Sequence, residues 1–401
     1  MTAVPGRVLV LDGDTRAGLE MARRLTRLGE RVVIASSDAA ASGLRTRAAE
    51  AAVVLPDPRT AFGAYADGIV EALGEGDVAM CSGERALAAL RARRGAIEAR
   101  GARAAIASEA ALTIAGSKEL TLERAAAIGI ECPRSLGVTT PEEVLAGAGE
   151  LGYPLVVKPL ASWQPLPGGG GETVAPMLAY DRAGLERIAH RLVRPDVPAL
   201  LQQLATGVRE THKLLRQDGR TIARLVMAAE RCWPPLGGSS VMRATIDPPA
   251  DSYALALALV ADIGLEGACE VEFRRDAAGR PLLMEINARL SQSVALAHRA
   301  GVELTHLHLR WARGERLEPV ADYRRGVRLG WPAGEARLLA CGVIGRLDPR
   351  PSALGELRAI ARDYGLRHAG LEGLDRHDLA PTAAALAFTA RQAGGWLRRA
   401  S

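Results

Sequence analysis

The first hundred residues alternate short apolar runs with longer stretches whose apolar residues recur at helical spacing. The apolar runs occupy residues 8–11, 31–35, 52–55 and 78–81, and residues 16–28 have the spacing of a helix. Strands that alternate with helices form parallel sheets covered on both faces. The sequence therefore predicts an α/β fold that begins with a small parallel sheet.

The turn after the first predicted strand argues against a dinucleotide-binding domain. Residues 12–18 read Asp-Gly-Asp-Thr-Arg-Ala-Gly and lack the G-x-G-x-x-G fingerprint. Two acids also stand where a pyrophosphate would approach the helix N-terminus. An NAD oxidoreductase thus stays open only as an alternative, which stabilisation by NAD without stabilisation by ATP and Mg²⁺ would favour.

Composition excludes several other classes of protein. The chain has 401 residues, 48% of them apolar, which is enough for two or three domains. No apolar run of about 18 residues and no secretion signal are present, so we expect a cytoplasmic protein without a membrane partner. The net charge is +5, but basic residues are scattered among acids and only three Phe are present, so we expect no nucleic acid partner.

The five cysteines are far apart in the sequence and form no C-x-x-C pair. We therefore expect reduced thiols rather than a disulfide framework or a zinc site. A nucleophilic role for Cys269 is disfavoured, because neighbouring carboxylates would raise its pKa.

The middle of the chain is predicted to be rich in strands. Helices are expected over residues 117–128 and after Thr140, followed by strands at residues 153–159 and 199–204. Turns at residues 218–219 and 276–279 each lie between two apolar runs, which indicates two hairpins.

The second hairpin carries the most informative set of side chains. Side chains alternate faces along a strand, so Glu285 and Asn287 point the same way, and pairing Glu272 with Glu285 brings two carboxylates together. The same register pairs apolar residues on the other face, Val271 with Ile286 and Phe273 with Met284. Like charges this close favour a hard cation between them, and Mg²⁺ suits two carboxylates with bridging phosphates. The alternative is a solvated hairpin face.

Arg289 follows Asn287 by two positions and continues the same face if the strand persists. Its planar guanidinium could bind phosphate oxygens bidentately beside a dication. A plain surface arginine is the alternative.

Residues 285–293, Glu-Ile-Asn-Ala-Arg-Leu-Ser-Gln-Ser, resemble the metal-binding strand of the ATP-grasp superfamily, especially its carbamoyl phosphate synthetase-like branch of carboxylate–amine ligases. Glu272 matches the first metal ligand of that pattern. Segments 117–118, 153–159, 168–171 and 201–205 follow in the order of the family's helix-start lysine, strand lysine, flexible loop and adenine hinge. The resemblance covers about residues 6–310.

The resemblance implies an ATP-grasp fold, α/β with α+β grasp lobes, in which a small N-terminal parallel-sheet domain precedes two lobes that enclose ATP. The implied domains are residues 1–110, 111–195, 196–310 and a partly helical C-terminal extension, 311–401. The implied metal ligands are Glu272, Glu285 and Asn287, and the implied catalytic residues are Arg289 and Lys158. The implied ATP-binding residues are Lys118, Lys158, Gly169, Gly170, Gln202, Gln203, Leu204 and Glu210.

The implied reaction is ligation of a carboxylate to an amine. ATP would convert the carboxylate into an acyl phosphate, the amine would attack it, and ADP and phosphate would leave, with Mg²⁺ or, as a substitute, Mn²⁺ as the cofactor. The four glycines of residues 168–171 suit a lid that excludes water, although a disordered linker is the alternative.

The sequence departs from the family pattern at several places. Gln202 and Gln203 stand where an acid often binds adenine. Glu210 could bind the ribose, but it lies three residues after Gly207. Arg209, ahead of the strand predicted at residues 213–216, occupies a position expected to be acidic. The glycine run lacks the usual Ser, Thr or Lys. These departures put side-chain contacts between the lid and phosphate in doubt.

Substrate residues are the least determined part of the sequence. Arg243 is the candidate for gripping a substrate carboxylate, helped by Ser239 and Ser240, against a structural or solvated role. A biotin carboxylase-like, bicarbonate-activating enzyme and a catalytically dead nucleotide-binding protein stay open. The C-terminal ninety residues could form a subunit contact, as in a homodimer, or a wall of the active site.

Overall fold

The computed structural model describes residues 6–166, 168–193, 197–235, 237–344 and 352–384. Two sequence predictions lie partly or wholly outside these ranges: the tail segment at residues 348–351 and most of a helix expected over residues 381–397. Within the described residues, no helix is long and apolar enough to cross a membrane.

The N-terminal region contains a five-stranded sheet, all of it parallel, in the order β3-β2-β1-β4-β5. Its elements are β1 (Val8–Val10), α1 (Arg16–Arg27), β2 (Val32–Ser36), β3 (Ala51–Val54), α2 (Phe62–Glu71), β4 (Val78–Met80), α3 (Glu84–Ala92), α4 (Arg94–Ala99) and β5 (Arg103–Ala104). The strands β1, β2 and β4 are fully buried, as expected for a parallel sheet covered on both faces. The predicted α/β domain is confirmed.

The end of β1 is tied to the end of β4 by one buried acid. Asp12 has a positive φ of 60°, and its Oδ2 accepts hydrogen bonds from the backbone N–H groups of Ser82 and Gly83, both at 2.9 Å. Thr15 then caps α1 by accepting from the N–H of Gly18 at 3.0 Å. These contacts fix the carboxyl edge of the sheet, which faces the rest of the molecule.

The next region contains a four-stranded antiparallel sheet, β10-β7-β11-β6, and a small hairpin, β8-β9. Its elements are α5 (Glu109–Gly116), α6 (Lys118–Ala127), β6 (Ser135–Val138), α7 (Pro141–Leu151), β7 (Leu155–Pro159), β8 (Trp163–Pro165), β9 (Gly171–Thr173), β10 (Met177–Ala179), α8 (Arg182–Leu192) and β11 (Ala199–Gln203). β11 pairs with both β6 and β7, so the sheet of this region continues to Gln203, whereas the boundary proposed from the sequence is at residue 195.

The third region contains a seven-stranded sheet in the order β16-β15-β12-β13-β14-β17-β18. Its elements are β12 (Arg209–Gln217), β13 (Arg220–Trp233), β14 (Ser239–Thr245), α9 (Ala250–Asp262), β15 (Gly267–Arg275), β16 (Pro281–Asn287), α10 (Val294–Ala300), α11 (Leu304–Ala312), β17 (Arg328–Gly330), α12 (Pro332–Ile344), α13 (Ala353–Ile360) and β18 (Gly370–Leu371). The C-terminal extension thus adds two edge strands to this sheet, which its Arg-rich sequence did not indicate.

The two faces of the seven-stranded sheet pack against different layers. On one face, Leu214 and Phe273 join α9 in a core that continues into the N-terminal sheet. On the other, Leu225 and Met227 join α10, α11 and α1. The polar residues of the second face are therefore enclosed between the large sheet and the N-terminal domain.

Candidate functional site

The hairpin β15–β16 places two carboxylates directly opposite each other. Glu272 pairs with Glu285, and Val271 pairs with Ile286, as predicted. A bulge after Glu272 then shifts the register, so the prediction that Phe273 meets Met284 is wrong. Phe273 lies opposite a leucine, Leu283, because the bulge inserts one extra residue into β16.

The paired acids repel each other in a buried setting. Burial, together with the charges of Glu285 and Glu270, raises the pKa of Glu272 to about 7. The Nδ2 of Asn287 donates to Oε1 of Glu285 at 3.2 Å, so the amide lies beside the carboxylates. The structure therefore gathers the three residues expected to hold a metal ion.

A third acid of this face has its own buried partner. Glu270 lies opposite Asn287 in the hairpin, and the Nζ of Lys213 donates both to Glu270 and to the hydroxyl of Ser291. Although burial alone would raise the pKa of Glu270, the Lys213 ammonium lowers it below its usual value. Lys213 thus ties β12 to β15 through Glu270 and to the segment that follows β16 through Ser291.

Arg289 connects this hairpin to the N-terminal domain. Its Nε donates to Oε1 of Glu84 at 2.6 Å, and its Nη2 donates to Oδ1 of Asn287 at 3.0 Å. Glu84 is the first residue of α3 in the parallel-sheet domain. The guanidinium expected beside the metal ligands is therefore held in place from both sides.

A solvent-open cleft of about 900 Å³ adjoins the hairpin. Its lining includes predicted site residues from four elements, together with one aromatic residue that the sequence did not single out: Lys118, Lys158, Gln202, Glu285, Asn287 and Trp163. Two cations thus face carboxylate and amide oxygens across one cleft, a combination that suits a polyphosphate with a dication.

Lys158 is buried in the wall of this cleft, with 8% of its surface exposed. Its Nζ donates to Oε1 of Gln202 at 2.6 Å, and the Nε2 of Gln202 donates to the hydroxyl of Ser135 at 2.9 Å. Burial lowers the pKa of Lys158 to about 8, against the opposing effect of Glu285. Gln202 is therefore a partner of the lysine in this structure, which its place in the hinge did not predict.

Some predicted nucleotide residues lie elsewhere. Gln203 is exposed and Leu204 is half-buried, and neither is among the residues that line the cleft. Glu210 points to the opposite face of the sheet, where Nε of Arg275 donates to it at 2.7 Å and Ser252 donates at 2.7 Å. Because its oxygens are engaged there, the expected bond from Glu210 to a ribose is not supported.

The glycine run is docked on the N-terminal domain. The carbonyl of Gly169 accepts from the N–H of Phe62 at 2.9 Å, and the N–H of Gly171 donates to the carbonyl of Pro58 at 3.0 Å. A Cβ on Gly170 would lie 1.9 Å from the carbonyl oxygen of Arg59, so only glycine fits. The described residues of this loop are therefore held against the N-terminal domain, in contrast to the disordered linker that was the alternative, while residue 167 lies outside the described ranges.

The three substrate candidates do not line this cleft. Arg243 is fully buried in β14 and pairs with the carboxylate of Glu372. Ser240 is buried, its carbonyl accepts a hydrogen bond from Arg243, and Ser239 is exposed at the start of β14. The structure thus shows an intramolecular carboxylate on Arg243, which the sequence could not reveal because Glu372 lies 129 positions away.

Other polar residues of this face were missed in the sequence. Arg209, Thr211 and Lys213 alternate along β12 and point toward the same side as Glu272. Their period-two spacing was the available signal, but the strand was predicted to begin only at Lys213.

The donor set fits Mg²⁺. Among the described residues no group of three or more His, Cys, Asp or Glu side chains is arranged to hold a metal ion by itself. Two carboxylates and one amide leave coordination positions for phosphate oxygens and water, which is how Mg²⁺ is usually bound.

Removing one of the paired charges should stabilise the metal-free protein. We expect Glu272→Gln to raise the free energy of unfolding at pH 8 by on the order of 1 kcal/mol, because the amide no longer repels Glu285. The matched variant Glu270→Gln should lower it by about 3 kcal/mol, because it leaves Lys213 buried without its partner. Urea unfolding in the presence of EDTA measures both. Destabilisation by both variants would contradict this account.

The docking of the glycine loop can be tested by hydrogen exchange. Gly170→Ala places a methyl group against the Arg59 carbonyl, so the amides of Phe62 and Gly171 should exchange faster. Gly149→Ala, at a position with open space around it, is the control and should change nothing. Unchanged exchange in Gly170→Ala would show that the loop is not held by these contacts.

A family model described as "ATP-grasp in the biosynthetic pathway with Ter operon" matches residues 217–334. That range includes the hairpin with the paired carboxylates and most of the seven-stranded sheet.

Similar curated proteins are large chains of carbamoyl phosphate synthase. The one from Kineococcus radiotolerans is 27% identical over 330 residues, which is 76% of this chain and 28% of that protein. The one from Thermus thermophilus is 30% identical over 208 residues, 49% of this chain and 19% of that protein. The chain thus spans less than a third of the length of these relatives.

Similar solved structures agree over most of the chain. An L-amino acid ligase from Bacillus licheniformis has a TM-score of 0.60 at 18% identity, covering 81% of this chain and 79% of that one. A biotin carboxylase–β-γ-ATP complex from Campylobacter jejuni has a TM-score of 0.60 at 14% identity, covering 82% and 75%. At these identities the likeness establishes the fold.

Proposed function

Because the chain belongs to the ATP-grasp superfamily, we propose that it is an ADP-forming ligase that activates a carboxylate as an acyl phosphate and couples it to an amine. The observation that carries this proposal is the cleft in which Lys118 and Lys158 face Glu285 and Asn287. Carboxylate, amide and ammonium groups around one cleft suit an ATP–Mg²⁺ complex better than any ligand of a single charge sign.

The metal would be held by Glu272, Glu285 and Asn287, with Mn²⁺ as a substitute for Mg²⁺. When bound, the ion neutralises charge on the phosphate oxygens during in-line transfer. The side chains around these ligands have separate tasks: Lys213 fixes Glu270, and Arg289 fixes the orientation of Asn287.

The cations of the cleft would bind the phosphates. The Lys158 ammonium lies in a buried wall, where an anion is attracted more strongly than in water. Lys118, at the N-terminal end of α6, adds its charge to that of the helix terminus. Arg289 would contribute its remaining N–H groups to the transferring phosphoryl group.

The proposed reaction has two steps, phosphoryl transfer and attack by the amine. A carboxylate oxygen attacks the γ-phosphorus and ADP leaves; the amine then attacks the acyl carbon, the phosphate leaves with the bridging oxygen, and an amide remains after loss of a proton. Water would hydrolyse the acyl phosphate, so the site must be closed during the reaction. The loop held on Phe62 and Pro58 would provide that closure.

Glu285→Ala tests the site directly. It removes a carboxylate from the cleft, so ADP release should fall by more than about 100-fold, because the charge on the phosphates is no longer balanced. Glu131→Ala is the control, since the side chain of Glu131 is exposed and its carboxylate pairs with Arg280 in the turn of the same hairpin. ADP is measured with a matrix of carboxylates and amines, with the mass of each product. Undiminished turnover in Glu285→Ala would refute the metal assignment.

The same matrix separates the proposed reaction from its alternatives. Formation of an amide together with ADP supports the ligase. ADP release that depends on bicarbonate alone would instead indicate a biotin carboxylase-like enzyme, and binding of ATP without turnover would indicate a non-catalytic protein.

Nucleotide affinity should depend on pH through Lys158. Its pKa of about 8 means that the ammonium form predominates below pH 8. Above pH 8, binding of ADP and Mg²⁺ should require uptake of a proton, and affinity should fall by up to about tenfold per pH unit. Calorimetry at pH 7 and 9, in buffers of different ionisation enthalpy, measures both effects. Lys158→Met should bind weakly at both values, and equal affinity of the native protein at both would contradict this role.

A further inference from the structure

The enclosed face of the seven-stranded sheet carries basic residues well beyond the paired carboxylates. Arg209 on β12 pairs with Ala229 on β13, and Ala229 pairs with Arg243 on β14. Because residues paired across adjacent strands share a face, Arg209 and Arg243 point to the same side. That side is the one on which Glu272 lies, since Glu272 pairs with Thr211.

Three donors along this face have no hydrogen-bond partner among the described residues: Arg209 Nε, Thr211 Oγ1 and Arg243 Nε. Each is buried, and a buried polar group without a partner destabilises the folded state. A binding site for a ligand rich in hydrogen-bond acceptors requires a row of such unpaired donors. The row of donors begins beside Glu272, whose Oε2 lies 3.9 Å from Nη1 of Arg209, and extends toward β14.

At the far end of the row, Arg243 already holds a carboxylate. Its side chain is fully buried, and Nη2 donates to Oε1 of Glu372. Arg16, the first residue of α1, donates to the other oxygen of Glu372. Glu372 belongs to the C-terminal extension, directly after β18, and so reaches this face from outside the two lobes.

We propose that Arg209 and Arg243 form a subsite for a second carboxylate of the substrate, and that Glu372 occupies the Arg243 end until that carboxylate displaces it. This inference rests on the proposed ligase function, because it takes the reacting carboxylate to lie near Glu272. The substrate class is then a dicarboxylate rather than a simple monocarboxylic acid.

The geometry suits a short dicarboxylate. Three strand spacings, roughly 14 Å between backbones, separate β15 from β14. Two of these spacings lie between Arg209 on β12 and Arg243 on β14, so a ligand that reaches both guanidinium groups is a small extended molecule. Thr211 follows Arg209 by two residues on β12, so its unpaired hydroxyl lies on the same face.

Glu372 can leave without unfolding the segment that carries it. Its backbone N–H donates to the carbonyl of Gly330 at 2.8 Å. Further along, Asp378 accepts from Nε of Arg23 at 2.8 Å and anchors the chain to α1. Only the side chain of Glu372 has to turn away, and exchange of one carboxylate for another preserves the ion pair of Arg243.

The test uses the full chain with ADP and Mg²⁺, and the probes are malonate, succinate, glutarate, adipate and L-glutamate. Glu372→Gln keeps the size of the side chain and removes its charge, so at least one probe should bind about tenfold more tightly by calorimetry. Butyrate and L-glutamine, which lack the second carboxylate, should gain nothing. Arg376→Gln, which removes an exposed charge from the same segment, is the control and should bind like the native protein.

A second variant identifies the arginine. In the Glu372→Gln background, Arg243→Lys should abolish the gain, because lysine cannot bind a carboxylate bidentately. No gain with any probe, or an equal gain with L-glutamine, would overturn the inference and leave Glu372 as a structural partner of Arg243.

Binding and turnover distinguish this inference from the proposed function. Tighter binding of a dicarboxylate to Glu372→Gln without ADP release in any combination would support the subsite and refute the ligase. ADP release with monocarboxylates, unaffected by Glu372→Gln, would support the ligase and refute the subsite.

Discussion

The pairing of Glu272 with Glu285 is the constraint around which the site is organised. Hairpin geometry forces the two carboxylates together in a buried place, where their repulsion is weakly screened. The surrounding cations oppose that repulsion from different elements: Arg209 from β12, Lys158 from β7 and, through Asn287, Arg289. The positive charges that oppose the repulsion between the two carboxylates thus come from several elements of the chain.

The N-terminal domain takes part in this balance. Glu84 fixes Arg289, and the segment that ends at Phe62 receives the glycine loop. Both contacts lie at the carboxyl edge of the parallel sheet, where Asp12 also ties two strand ends together. This edge of the sheet, which lacks a dinucleotide-binding fingerprint, therefore contacts the glycine loop and Arg289.

Much of this structure could be predicted from local sequence patterns, but contacts between residues distant in the sequence could not. The parallel strands and the Glu272–Glu285 register follow from apolar periodicity, which acts over neighbouring residues. The bulge at Met284, the edge strands β17 and β18 and the Glu372–Arg243 pair depend on tertiary packing. The sequence around Arg243 and around Glu372 gives no sign that the two residues pair. Arg243 could therefore be predicted to bind a carboxylate, but the identity of that carboxylate could not.

The contact of the glycine loop with Pro58 and Phe62 also bears on how the chain can be divided. A fragment containing only the two lobes would lose the surface on which the loop rests and the acid that orients Arg289. Such a fragment could not hold the loop in this position, even if the lobes folded. The parallel-sheet domain and the lobes are therefore one functional unit, and engineering by domain exchange would have to move them together.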